Sequence, residues 1–459
     1  MNFRLTKGNF LKTGAYIEGD SAVFTFAAEK EDECSIVLLD KSGNTACVID
    51  IPAEYSTGSL YSVRLHGFCG NEYAYYFRIN GKRCIDPYAT RILGREKWND
   101  KTRSDNDYEI ACGIDSSDFD WKYDSFPEIT RDRMKLYKLH VRGFSMDVSG
   151  NKKHKGTFEA VSDRINYIKK LGFTSILLMP VYEFEEMTIP VKHDIPEYAK
   201  PKYSLKDEQS VHTENDKVNF WGYTSGNYFA VKASYASDAS DASNELRRLV
   251  ERLHKNGMEC IVEMYFLDRT DHNLILDALR YWVMSFHVDG FKLLGDRLPV
   301  TAIVQDALLS RTKILYDGFD MSVVPQNRTY ENLYIDKEEY QFAARMMLNH
   351  INCNMYELLN QQKKQGENVG FINYISSNNG FTLSDLFMYN DRHNEANGEK
   401  NADGPSWNFS NNYGCEGPSR KRFIREIRKL KWKDAMLLLF LAQGVPMIMA
   451  GDEICNSQD

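Results

Sequence analysis

Ser175-Ile176-Leu177-Leu178-Met179-Pro180 is apolar along its length. A strand with apolar side chains in both directions has both faces covered, the condition of a parallel sheet wrapped in helices. The residues before it fit that setting. Val161, Ile165, Ile168 and Leu171 recur on one face of a helix predicted over 158–171, and Gly172 closes it. The residues after it repeat the unit: Leu246, Leu249, Val250 and Leu253 line a second helix, Gly257 ends it, and Cys260-Ile261-Val262-Glu263-Met264 is the next strand. Two α/β units in succession predict a (β/α)8 TIM-type barrel.

The same texture extends over 134–459, with further strands expected at 136–141, 290–294, 312–316, 370–375 and 445–450, and helices around 273–286, 338–349 and 430–442. The sixth strand has no clear signal. Little sequence follows the eighth, so the barrel is expected to be incomplete at its C-terminus by one outer-layer element. Upstream, residues 1–95 alternate β-rich runs such as Ala22-Val23-Phe24-Thr25-Phe26 and Tyr73-Ala74-Tyr75-Tyr76-Phe77 with turn residues, and Asn80-Gly81 is a strong hairpin signal. This predicts an all-β, immunoglobulin-like sandwich whose aromatics mainly pack its core. Residues 96–133, rich in Asp, Lys and Ser, read as a connecting segment.

At 459 residues the chain exceeds one ordinary core, and a net charge of -8 spread along it disfavours a polyanionic partner such as nucleic acid. No run reaches the roughly 18 apolar residues of a membrane span, and the N-terminus lacks the apolar core of a signal peptide, so a cytoplasmic location is expected. The nine cysteines are scattered without a C-x-x-C pair. They read as reduced thiols, with no metal and no cofactor expected.

Several longer strings carry a resemblance. Tyr137-Lys138-Leu139-His140-Val141-Arg142-Gly143-Phe144, Asn219-Phe220-Trp221-Gly222-Tyr223, Val288-Asp289-Gly290-Phe291-Lys292-Leu293-Leu294-Gly295, Gly380-Phe381-Thr382-Leu383-Ser384-Asp385-Leu386 and Ala450-Gly451-Asp452-Glu453 occur in that order. Together they resemble the motifs of the α-amylase superfamily, glycoside hydrolase family 13, in its isoamylase and glycogen-debranching (pullulanase-type) branch. The N-terminal strands followed by Asp86-Pro87-Tyr88-Ala89 resemble the carbohydrate-binding-module-48-like domain of the same branch.

That resemblance implies retaining hydrolysis of α-glucosidic bonds, which needs a carboxylate nucleophile and a carboxylic acid about 5 to 5.5 Å apart. Position by position, the family's nucleophile is Leu294 here, its neighbouring Arg is Lys292, its acid/base is Asp317, and its strand-seven His-Asp pair is Asn378-Asn379. The substrate-binding His after strand three is Asp268, and the excursion that follows it is very short. A leucine has no lone pair with which to attack an anomeric carbon. Leu294, Asp317, Asn378-Asn379, Asp268 and the short excursion are five changes at one site, and together they imply that cleavage is absent.

Asp296 and Asp317 are the candidates for a rescue. Asp296 shares the face of Leu294 if the strand continues, but about 6 to 7 Å further along, and catalytic geometry tolerates only about half an ångström. Lys292 is expected to be solvated or paired with Glu263 or Asp317. Trp221, Tyr223, Asp268, Lys292 and Asn378 remain as substrate-binding positions, and Trp221 and Trp407 are equally readable as sugar platforms or as packing. The expectation is a catalytically silent, α-glucan-binding or regulatory protein, with an active debranching or isoamylase subunit as a further partner. The alternative is an active α-1,6-glucan hydrolase with rearranged carboxylates.

Overall fold

A computed structural model describes residues 3–458 except 69–71, 104–109, 116–117, 124, 147–153, 188–217, 321, 323–329, 367, 396–400, 402–403 and 406. The chain forms two compact units, one of residues 1–122, 157–159 and 181–248, the other of 123–156, 160–180 and 249–459.

In the first unit, strands Arg4–Lys7, Leu60–His66, Ser21–Ala27 and Gly14–Glu18 form one antiparallel sheet, and Arg91–Leu93, Ala111–Gly113, Ala74–Ile79, Cys34–Leu39 and Thr45–Ile51 form another. Asn80 and Gly81 both take positive φ, 49° and 76°, the geometry a two-residue hairpin turn requires, and Ile79 accordingly pairs with Lys82. Phe24, Tyr61 and Tyr75 are fully buried, and Phe26 stacks on Phe77 at 4.2 Å. These aromatics fill the core. Ala111–Gly113 extends the second sheet beyond residue 95, into the segment read as a connection. Asp86 is buried, accepting from the Tyr75 hydroxyl at 2.7 Å, and burial raises its pKa to about 6. A small ribbon, Tyr182–Phe184 with Gly226–Val231, belongs to this unit as well. Beside it the fully buried Lys232 ammonium is held by Glu183 at 2.8 Å and Glu186 at 2.7 Å.

The second unit is a closed barrel of eight parallel strands in chain order. They are β1 (Leu136–Leu139), β2 (Ser175–Leu178), β3 (Glu259–Tyr265), β4 (Gly290–Leu294), β5 (Lys313–Leu315), β6 (Leu333–Asp336), β7 (Gly370–Asn373) and β8 (Val445–Met449). Leu136, Leu177, Ile261, Leu315, Tyr334, Ile372 and Val445 pack together at 1 % exposure or less, so the barrel is filled by side chains. β6 supplies the strand that sequence patterning left unplaced. The helix expected over 158–171 is two, Phe158–Ser162 and α1 (Ile165–Lys170), interrupted where Arg164 takes φ −104°, ψ 5°. Further helices are α2 (His272–Phe286), α3 (Glu338–Leu348) and α4 (Arg422–Leu441), the last beginning well before the expected 430. Among the described residues no helix is long and apolar enough to cross a membrane. Eight of the nine cysteines are described and all are free thiols; Cys69 lies outside the described residues.

Candidate functional site

The C-terminal ends of barrel strands are where loops from many strands converge. β3, β4, β5 and β7 lead to that end the positions singled out from the sequence: Asp268, Lys292, Leu294, Asp317, Asn378 and Asn379. After β3 the chain turns at once into α2, whose first turn is capped by Asp271, accepting from the amides of Asn273 at 2.8 Å and Leu274 at 3.1 Å. Asp268 lies exposed in this short connection. On β4, Lys292 and Leu294 are two residues apart and share one face; Leu294 is half-buried and Lys292 only 7 % exposed. Gly295 ends the strand at φ +127°, where an added Cβ would lie 2.1 Å from the Phe266 carbonyl oxygen. Only glycine fits there. The strand therefore does not continue to Asp296, which is exposed beyond this turn and has no strand face in common with Leu294.

The expected partners of Lys292 need correction. Glu263, in register beside it, is held by the buried Lys138 at 2.7 Å. The Lys292 ammonium pairs instead with Asp336 at the end of β6, and both side chains are under a tenth exposed. Asp317 stands at the exposed rim, its carboxylate accepting from the Asp336 amide at 3.0 Å. Burial opposes the Lys292 charge, but Asp336, Glu263 and Asp317 together outweigh it and move its pKa up. Lys138 moves down, because burial, helped by repulsion from Lys292, outweighs the attraction of Glu263. Asp317 moves up, first through desolvation and then through Asp336. Nothing local in Leu333-Tyr334-Ile335-Asp336 advertises this role, so sequence reasoning missed Asp336.

The retained motifs around strands seven and eight build scaffold. Asp452 is buried and accepts from the Ser376 hydroxyl and from the amides of Leu383 and Met449, each at 3.0 Å; burial raises its pKa to about 6. Glu453 accepts from the hydroxyls of Tyr137 and Tyr167, each at 2.8 Å. Gly380-Phe381-Thr382-Leu383 is thereby tied to Asp452, and the first-strand motif to Glu453. Asn378 is half-buried and Asn379 exposed at the same end. Trp407 is 62 % exposed. Trp221 and Tyr223 are half-buried in the first unit, with Trp221 edge-on to Phe220 at 5.1 Å. Residues 396–399 of the loop Asn394-Glu395-Ala396-Asn397-Gly398-Glu399 lie outside the described residues.

Comparison with known proteins agrees with this architecture. Residues 124–272 match the α-amylase catalytic-domain family. Isoamylase 1 of Arabidopsis thaliana is 27% identical, over 86% of this chain and 60% of its own length. The glycogen debranching enzyme of Enterobacter sp. (strain 638) is 26% identical, over 99% of this chain and 79% of its own. The chain thus spans about 60% of the length of the plant isoamylases it matches. Among solved structures, the catalytic module of the glycogen-degrading pneumococcal virulence factor SpuA superposes with a TM-score of 0.66 at 19% identity, covering 96% of this chain and 70% of that one. Bacillus subtilis pullulanase type I, complexed with maltose, gives 0.65 at 17%, covering 98% and 66%.

Proposed function

We propose that this chain, which belongs to the α-amylase superfamily (glycoside hydrolase family 13) in its isoamylase and glycogen-debranching branch, is a catalytically silent, α-glucan-binding or regulatory member of that branch. One observation carries the proposal. At the end of β4, where the branch places its nucleophile, stands Leu294, and the cation beside it is engaged by Asp336 from another strand. Retaining cleavage requires two carboxyl groups facing each other across the bond, and neither β4 nor the turn at Gly295 brings one to that position. Trp221, Tyr223, Asp268, Lys292 and Asn378 remain the assigned glucan contacts, the cytoplasm the assigned location, and an active debranching or isoamylase subunit the assigned partner.

The test incubates the purified chain with pullulan, amylopectin and glycogen and measures new reducing ends. None are expected above the blank, while migration in glycogen-containing native gels is retarded. Turnover that Asp317→Asn abolishes would overturn the silent assignment in favour of a second reading, an α-1,6-glucan hydrolase with rearranged carboxylates. The Asp317 carboxyl, moved up in pKa by desolvation and then by Asp336, is the observation that favours this alternative, because a carboxyl with a raised pKa beside a second one is what an acid catalyst needs. Absence of both turnover and retardation removes glucan binding as well.

A further inference from the structure

We infer that Asp336 has replaced a strand-four carboxylate as the counter-ion of Lys292, so that positions 294 and 336 are alternative anchors for one lysine at the mouth of the barrel. The inference rests on the reading of Leu294 as the vacated nucleophile position. A lysine 7 % exposed needs an anion, and the candidates can be taken in turn. Glu263 is committed to Lys138 at 2.7 Å. The Asp317 carboxylate is turned onto the Asp336 amide at 3.0 Å. Leu294, on the inward face with Lys292, supplies no charge. Asp336 does, although β6 is hydrogen-bonded to β5 and β7 and not to β4. The pair therefore spans the end of β5, whose last residue, Leu315, is in register with Lys292.

A carboxylate at position 294 would stand one pleat repeat, about 6 to 7 Å, along the same face. That is within reach of a four-carbon side chain ending in a mobile ammonium. With Asp336 also present it would crowd like charges around a single lysine. With Asp336 neutralised it would restore one anion to one cation.

A double-mutant cycle decides the matter, using the full chain and thermal unfolding at pH 7.5. Asp336→Asn is expected to lower Tm by about 5 to 10 °C and Leu294→Asp by a smaller amount. The double variant Leu294→Asp/Asp336→Asn is expected within about 3 °C of the parent, because each change corrects the other. Losses that simply add overturn the inference. If Asp336→Asn fails to fold, recovery of soluble, cooperatively unfolding double variant supports it, and failure of both overturns it. The readout is stability, so it stands whether or not the parent chain releases reducing ends.

Discussion

The floor and the mouth of the barrel are both crossed by buried lysine–carboxylate pairs, and β3 contributes a glutamate to each. At the floor, Glu259 pairs with Lys313 and also accepts from the Ile129 amide at 2.8 Å and the Ser175 hydroxyl at 2.9 Å. Burial raises its pKa and Lys313 opposes the rise. One cation meets one anion, and both carboxylate oxygens are occupied. At the mouth, Lys138 and Lys292 are set against Glu263 and Asp336, and Asp317 adds a third carboxylate at the rim. A closed donor set specifies structure. An open one leaves perturbed groups at a surface, which is where binding or chemistry is found.

The sharpest way to break this comparison is at the floor. Lys313→Met strands Glu259 without its cation and is expected to cost about 3 to 5 kcal/mol, measured by chemical denaturation. A loss under about 1 kcal/mol would mean that the floor pair is not the closed unit described. Ser175→Ala removes one hydrogen bond to that charged glutamate and is expected to cost about 1.5 to 2 kcal/mol by the same measurement. A neutral result would show that Ile129 and Lys313 suffice.

At the mouth the smallest effect is expected from Asp317→Asn, within about 0.5 kcal/mol at pH 7.5, because the residue lies at the exposed rim and Asn keeps the acceptor for the Asp336 amide. Its signature is in pH. The folded state holds the Asp317 proton to higher pH than the unfolded chain does, so the parent loses stability as pH rises from about 4 through the raised value, and the loss then persists. The Asn variant lacks that loss, and its Tm relative to the parent should climb over this window. A pH-independent difference between the two would contradict the raised assignment.

Much of the barrel was legible because buried parallel strands carry their own signature. β2, β3, β4, β7 and β8 were visible as apolar runs, and α2 and α3 as periodic segments. β6 was not, since four residues ending in an aspartate offer neither length nor alternation. The first half of α4, Arg422-Phe423-Ile424-Arg425-Glu426-Ile427-Arg428, carries too many cations to display a continuous apolar stripe, although Ile424 is buried. The Lys292 partnership was misread for a different reason. Glu263 and Asp317 were the acids nearest in strand order, and the lysine of β1, Lys138, had already claimed Glu263.

By itself the sequence determined the order of most strands and helices and the strings that resemble the family, Leu294 among them. These are local properties, set by periodicity, turn chemistry and residue identity. The tertiary structure alone decided which charge answers which. Lys292 and Asp336 are 44 positions apart, on strands that do not pair, and meet only because barrel closure brings both to one rim. Coulomb attraction depends on distance through space, which chain order does not encode.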